Sequence, residues 1–104
     1  IRKMNPLRIK YYSHMWAVIH LSALNYEKSV DSEEEYTNFY SGLCCTLGCK
    51  DCMVHYKQFM IDNPPDFNDL FGWTVDLHNS VNEMRGESTY TRQLSLDFWL
   101  SASS

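Results

Sequence analysis

Apolar and aromatic side chains spaced three and four residues apart limit the fold of this chain more than any other feature. This spacing places side chains on one face of a helix, whereas a half-buried strand would need strict alternation. A first helix is therefore predicted from about residue 9 to residue 23. Its inner face consists of Met15, Trp16, Ile19, His20 and Ala23.

A second helix is predicted to begin at Ser32, because Ser32-Glu33-Glu34-Glu35 has the form of a capping box. The three glutamates also suit the positive end of the helix dipole, so we interpret them as a cap and a solvated face. The inner face of this helix is predicted to consist of Tyr36, Phe39, Tyr40 and Leu43.

Two more helices are predicted after the cysteines, and together they make the chain all-α. The third ends near Ile61, because Pro64 and Pro65 cannot donate a backbone hydrogen bond. The fourth is predicted to be capped by Asp66 or Asn68 and to stop at Gly86. The third helix is predicted to bury Cys52, Tyr56, Phe59 and Met60, and the fourth Leu70, Trp73, Thr74, Leu77, His78, Val81 and Asn82.

The tail from residue 90 to residue 100 is ambiguous, because its leucines and Phe98 alternate as in a strand. We interpret it as a short helix. A chain of 104 residues fits a single domain, covering residues 1–104, with a modest core.

Charge and hydropathy exclude two classes of partner. The net charge is −4, and the nine Lys and Arg residues are scattered apart from Arg2, Lys3, Arg8 and Lys10 near the start, so no nucleic-acid partner is expected. No apolar stretch approaches the ~18–20 residues that cross a bilayer, and the beginning lacks the apolar segment of a signal peptide. We therefore expect a soluble chain without a membrane partner.

Four cysteines, Cys44, Cys45, Cys49 and Cys52, lie within nine positions. The two-residue spacing of Cys49 and Cys52 suits disulfide exchange and zinc binding equally. Cys52 falls at the start of the third helix, where the dipole favours a thiolate, so we expect it to be more acidic than an isolated thiol. Cys44 and Cys45 are expected to be buried apolar groups, with a vicinal disulfide or a link to another subunit as the alternative.

Three alternatives compete with dithiol redox chemistry at Cys49 and Cys52. A zinc module would use Cys49, Cys52, His55 and one of Cys44 or Cys45 as a tetrahedral ligand set. A thioredoxin-type oxidoreductase would need strands before Cys49, and no strand pattern occurs there. The third alternative is a non-catalytic helical interaction protein that keeps a flavin as a structural element.

Two further motifs favour redox chemistry at this pair. Trp16-Ala17-Val18-Ile19-His20 lies on the first helix, and His78-Asn79-Ser80-Val81-Asn82 lies on the fourth. Between them stands Cys49-x-x-Cys52-x-x-His55. In this order and at these spacings, over about seventy of the 104 residues, the chain resembles the Erv/ALR family of FAD-linked sulfhydryl oxidases.

The resemblance implies a four-helix bundle with a short fifth C-terminal helix, FAD at the bundle mouth, and usually a homodimer. It implies that Cys52 faces the flavin, that Cys49 meets incoming thiols, and that electrons pass through FAD to molecular oxygen, giving hydrogen peroxide. It further implies that the FAD-binding residues are Trp16, His20, His55, Tyr56, His78, Asn79, Val81 and Asn82.

The chain departs from the family pattern around the cysteine pair and the cofactor phosphates. Gly48 stands where proline is common, which we expect to loosen the turn. Ser13 and Glu87 replace basic residues. The candidates to contact the phosphates instead are Arg8, Lys57 and Arg85.

The C-terminal part departs as well. Arg92 stands, close to Tyr90, where cellular members have a cysteine whose disulfide pins this segment. Small viral members share such reductions, so the resemblance points to a viral form. No second C-x-x-C is present, so a thioredoxin-like partner is expected to relay electrons from thiol proteins to Cys49. The expected location of the protein depends on the organism that it comes from. It is the host cytoplasm for a viral protein, and otherwise the mitochondrial intermembrane space or the secretory pathway.

Overall fold

The structure is a computed structural model that describes residues 6–102, and its regular structure is helical throughout that range. The helices are α1 (Pro6–Asn25), α2 (Glu33–Leu43), a 3-10 turn (Cys44–Thr46), α3 (Lys50–Asp62), α4 (Leu70–Met84) and α5 (Arg92–Ala102). The all-α prediction is confirmed, and so is the helical interpretation of the tail. Arg2 and Lys3 lie outside the described residues. None of the helices within 6–102 has the length and apolar character needed to span a membrane.

The caps explain where two of the helices begin. Ser32 Oγ accepts a hydrogen bond from the Glu35 amide at 3.2 Å, as the capping box predicts. Helix α4 is capped instead by Asp69, which accepts from the Gly72 amide at 3.1 Å, so the prediction of Asp66 or Asn68 is wrong. Asp66 accepts from the Asn68 amide at 3.0 Å, and both residues therefore belong to the turn before the helix.

The core forms around α4, which packs against both α1 and α3. The predicted inner face of α1 is buried in full, and that of α4 is buried except for His78, which is partly exposed. Helix α2 contributes Tyr40, which is fully buried. Phe39 was predicted to face the core, but it is 40% exposed, so this prediction is wrong. The Tyr56 hydroxyl donates to the Tyr40 carbonyl at 2.7 Å and joins α3 to α2 beneath the cysteines.

Helix α5 is held by polar contacts at its first turn and by an aromatic contact near its end. Arg92 forms ion pairs with Asp69 and Asp76, both on or next to α4. The Asn79 side chain accepts from the Tyr90 amide at 2.9 Å and donates to the Tyr90 carbonyl at 2.7 Å. These contacts fasten the segment for which the resemblance suggested a disulfide in cellular relatives.

Candidate functional site

The cysteine pair follows a turn that α1 holds in place. The Tyr12 hydroxyl donates to the Leu47 carbonyl, and the Arg8 guanidinium donates to the Gly48 carbonyl at 3.0 Å. Leu47 is itself buried, so both ends of this short segment are fixed. Cys49 follows as the N-cap residue of α3, and its sulfur accepts from the Cys52 amide at 3.3 Å.

Gly48 gives this turn its shape rather than loosening it. Its φ of 67° lies in the left-handed region, where glycine carries no steric cost. A Cβ at this position would also lie 2.9 Å from Nη2 of Arg8. The glycine therefore permits both the backbone conformation and the close approach of Arg8, which is committed to the turn.

The two thiols of the pair have opposite properties. Burial opposes ionisation of Cys49, but hydrogen bonds from the Cys52 thiol and from the amides of Cys52 and Asp51 outweigh it, and the pKa of Cys49 is lowered. Burial, the hydrogen bond to Cys49 and the charge of Cys49 raise the pKa of Cys52 to about 11. The expectation that Cys52 is the acidic thiol is wrong, because its desolvation outweighs the helix dipole. Cys49 is half-buried, and Cys52 is only 4% exposed.

A cleft of about 420 Å³ opens between α1 and α4. Arg85 on its wall opposes the rise in the pKa of Cys52 and so favours the thiolate. Tyr12 lies on the same wall, and its pKa is raised first by burial and then by the charge of Cys52. Of the eight predicted FAD-binding residues, four line this cleft: Trp16, His78, Val81 and Asn82. The other lining residues are Ile9, Tyr12, Ser13, Arg85 and Glu87.

Two stacked aromatic rings lie on the wall of the cleft. The rings of Trp16 and His78 are stacked, and behind them His20 Nε2 lies 2.9 Å from His78 Nδ1. His20 Nδ1 is hydrogen-bonded to Thr74 Oγ1 at 3.0 Å. Burial, and then the charge of His78, lower the pKa of His20 to about 3, and burial lowers the pKa of His78 to about 4. Both imidazoles are therefore neutral at physiological pH.

Four predicted FAD-binding residues do not line the cleft, and one of them, His20, lies behind the stacked rings. His55 is hydrogen-bonded through Nε2 to Ser80 Oγ at 2.7 Å, which joins α3 to α4. Tyr56 is fully buried under α2, and Asn79 binds the backbone of Tyr90. Of the basic residues suggested for phosphate contacts, only Arg85 lines the cleft, since Lys57 lines a different groove, between α2 and α3.

Three residues of the site were not predicted from the sequence. Tyr12 precedes Trp16 by one helical turn, and extending the periodic face of α1 backward would have found it. Thr74 was assigned to the core face of α4 without its bond to His20. Trp99 of α5 lies 5.2 Å from His20, centroid to centroid, and the alternating pattern of the tail carried no signal for this contact.

The structure does not favour the zinc alternative. Within residues 6–102, no three His, Cys, Asp or Glu side chains are grouped so that they could hold a metal ion. Cys44 donates its thiol to the Met53 carbonyl at 3.2 Å, and His55 is engaged by Ser80. Cys45 is exposed, so the expectation of two buried cysteines is wrong for this residue, which lies in the 3-10 turn after α2.

Comparison with known proteins agrees with the geometry. The model of the Erv1/Alr family matches residues 13–99, which include the cysteine pair and most of the cleft. The chain is 27% identical to a protein of Acanthamoeba polyphaga mimivirus named a probable FAD-linked sulfhydryl oxidase, over 73% of this chain and 59% of that protein. It thus spans less than two thirds of this relative's length. No solved structure matches the chain significantly. Because the family model covers most of its length, the chain belongs to the Erv1/Alr family.

Proposed function

We propose that this chain is a FAD-dependent thiol oxidase that forms disulfides in protein thiols through the Cys49-Cys52 pair. The observation that carries the proposal is the position of this pair. The buried Cys52 interacts electrostatically with Arg85 and Tyr12 on the wall of the aromatic cleft, while the more exposed Cys49 is the more acidic thiol. Family membership and the name of the mimivirus relative support the same activity.

The residues of the cleft fit a flavin dinucleotide at the mouth of the helical bundle. The Trp16–His78 stack provides aromatic surface that a planar ring can contact at its outer face or edge, and Val81 adds an apolar contact. Asn82 can donate to and accept from ring heteroatoms, and Arg85 supplies a cation for a phosphate.

Thiol exchange begins at Cys49. A substrate thiolate attacks the Cys49 sulfur of the oxidised pair, the bond between Cys49 and Cys52 breaks, and Cys52 leaves as a thiolate that takes up a proton. A second substrate thiolate then attacks the substrate sulfur of the mixed disulfide and releases Cys49. The lowered pKa of Cys49 makes its thiolate a good leaving group. This favours the second step, in which Cys49 is released from the mixed disulfide.

Reoxidation requires that the two sulfurs exchange their roles. Cys52 holds its proton in the reduced pair, since burial raises its pKa. The Cys52 thiol interacts with the Cys49 sulfur, and transfer of its proton to that sulfur would leave a thiolate on Cys52, which the charge of Arg85 favours. Bound FAD supplies the acceptor for the two electrons and their route to molecular oxygen, which leaves as hydrogen peroxide.

The proposal extends to partners. We propose a homodimer, since several large apolar side chains, including Val18 on α1 and Val30 after it, are exposed on this chain. A thioredoxin-like protein would present its thiols to Cys49. Sedimentation at micromolar concentration tests the dimer, and a species that remains monomeric would contradict it.

Oxygen consumption with a small dithiol tests the activity. The wild type should consume oxygen and release an equal amount of hydrogen peroxide, while Cys49→Ser and Cys52→Ser should each be inactive, because neither can form the internal disulfide. Circular dichroism confirms that both variants are folded. If either folded variant turns over at the wild-type rate, this pair is not the redox centre.

A further inference from the structure

A second and larger groove, of about 670 Å³, lies between α2 and α3. Helix α3 lines it with Lys50, Met53, Val54, Lys57 and Ile61. These positions are three and four residues apart and form one face of the helix along nearly its whole length. None of them lines the α1–α4 cleft, so the groove is a separate surface of the molecule.

The opposite wall continues from α2 into the 3-10 turn. Thr37, Ser41, Cys44 and Cys45 line this side. The Cys44 thiol donates to the Met53 carbonyl at 3.2 Å and ties the two walls together at the end nearest the cysteine pair. The groove is thus a fixed feature of the packing of α2, the turn and α3.

The groove begins at the redox pair. Lys50 directly follows Cys49, and the Met53 amide donates to the Cys49 carbonyl at 2.9 Å. From Lys50 to Ile61 the helix rises about 16 Å, at about 1.5 Å per residue. That length matches about five residues of extended chain, at about 3.3 Å each. A peptide whose cysteine reaches Cys49 could therefore lie along the whole groove.

The groove is lined by apolar side chains and carries positive charge. Val54 is 62% exposed and Ile61 is 65% exposed, which leaves contiguous apolar surface open to solvent. Met53 and Met60 add flexible side chains that adapt to differently shaped partners. Among the described residues, neither Lys50 nor Lys57 forms an ion pair, and no acidic side chain lines the groove.

We propose that this groove docks an apolar segment bearing acidic side chains, next to the cysteines of the thiol protein that Cys49 oxidises. The inference rests on the proposed function and names the substrate class for the same site. A second copy of this chain fits less well. A two-fold dimer through this face would bring Lys50 and Lys57 of one copy against the same lysines of the other, and like charges repel.

Peptide dithiols test the proposal. Two peptides share their cysteines and an apolar stretch of five residues, and they differ only in carrying either glutamates or lysines in that stretch. Dithiothreitol serves as the substrate too small to use the groove. We expect the wild type to oxidise the acidic peptide with a kcat/KM at least about tenfold above that of the basic one, equal to ~1.4 kcal/mol.

Two charge reversals locate the effect. Lys57→Glu should remove or reverse the preference, measured as the kcat/KM of each peptide divided by that of dithiothreitol. Lys28→Glu makes the same change of charge in the loop after α1, outside both cavities, and should keep the wild-type preference. Ile61→Asp should lower the same ratio for the acidic peptide.

The outcomes separate this proposal from the activity itself. An enzyme that oxidises dithiothreitol but does not distinguish the two peptides would overturn the docking proposal and leave the oxidase intact. An enzyme inactive with dithiothreitol would remove the proposed function first. If Lys57→Glu changes the sedimentation coefficient and leaves the peptide preference as it was, a second copy occupies the groove and the proposal is wrong.

Discussion

The indole of Trp16 and the imidazole of His78 lie face to face, with ring centroids 3.8 Å apart and planes 5° from parallel. This stack joins α1 to α4 and lines the cleft. It is held from behind, because His78 is hydrogen-bonded to His20 and His20 to Thr74. The arrangement requires neutral imidazoles, since two charged rings 2.9 Å apart, away from water, would repel each other.

Acid should therefore destabilise the flavin-free protein. The pKa values of His20 and His78 are lowered in the fold from 6.5 to about 3 and about 4, so the unfolded chain binds more protons between these values. The contribution of the two neutral histidines to the free energy of unfolding is fully present above pH 6.5 and is lost as the pH falls toward 4. With two groups the slope approaches about 2.7 kcal/mol per pH unit. Urea unfolding at a series of pH values measures it.

The matched variants for this experiment are two histidine replacements. His78→Gln removes one of the two groups and should reduce the slope below pH 6.5. His14→Gln replaces an exposed histidine on α1 and provides the control for a change of histidine content. A His78→Gln protein with the slope of the wild type would show that the buried pair is not the source of the acid sensitivity.

The hydrogen bond between the thiols predicts how Cys49 reacts. Cys52→Ala removes a donor to the Cys49 sulfur, whereas Cys52→Ser keeps a hydroxyl in its place. We expect a higher pKa for Cys49 in the alanine variant and, at neutral pH, slower alkylation by iodoacetamide than in the serine variant. Equal rates in the two variants would show that this bond does not lower the pKa of Cys49.

Alkylation of the wild type tests the order of the two thiols. Cys49 should be alkylated before Cys52, because Cys52 is buried and its pKa is raised to about 11. Trypsin cleaves after Lys50 and places Cys49 and Cys52 on different peptides. Fragment spectra then distinguish Cys49 from Cys44 and Cys45, which share its peptide. Faster labelling of Cys52 would contradict this assignment of the acidic thiol.

The positions of the helices were predictable because they depend on residues that are close together in the sequence. Periodic faces and the Ser32 cap depend on residues within one or two turns of each other, so the sequence pattern carries them. The Asp69 cap was missed because three side chains in one short turn can each serve as a cap, and only the path of the chain selects among them. Phe39 and Tyr40 are neighbours, and packing alone decides which of them faces the core.

The site was predictable where it coincides with a helical face. Trp16, His78, Val81 and Asn82 line one cleft because α1 and α4 pack together. The acidity of Cys52 was misjudged because desolvation depends on the rest of the fold, and no local pattern reports it. The partners of His55 and Asn79 likewise come from other segments.

The ion pairs of Arg92 predict a salt-sensitive attachment of α5. Arg92 and its partners Asp69 and Asp76 are about half exposed, so Arg92→Met should cost no more than ~1 kcal/mol of stability. The difference between the wild type and this variant should shrink at high salt, because exposed pairs are screened. Denaturant unfolding at low and high ionic strength measures it, and a salt-independent difference would mean that packing rather than charge is lost.

Asn79 should matter more for the position of α5 than Arg92 does. Its side chain satisfies both backbone groups of Tyr90, and alanine would leave both without these partners. We expect Asn79→Ala to loosen the contact of Trp99 with His20 and to shift tryptophan fluorescence to longer wavelength. Gln93→Ala, one residue from Arg92 on the exposed side of α5, is the control. An unchanged spectrum in Asn79→Ala would show that α5 is held by other contacts.

The visible absorption spectrum of the purified protein, recorded without oxygen before and after addition of a dithiol, tests the central claim most directly. A dithiol oxidase whose Cys52 lies beside bound FAD should be yellow, should lose its colour when the dithiol reduces the pair, and should regain it when air is admitted. Cys49→Ser and Cys52→Ser should stay yellow under the same addition, because the internal disulfide cannot form. A colourless protein that releases no flavin on denaturation and cannot be reconstituted with FAD would contradict the account.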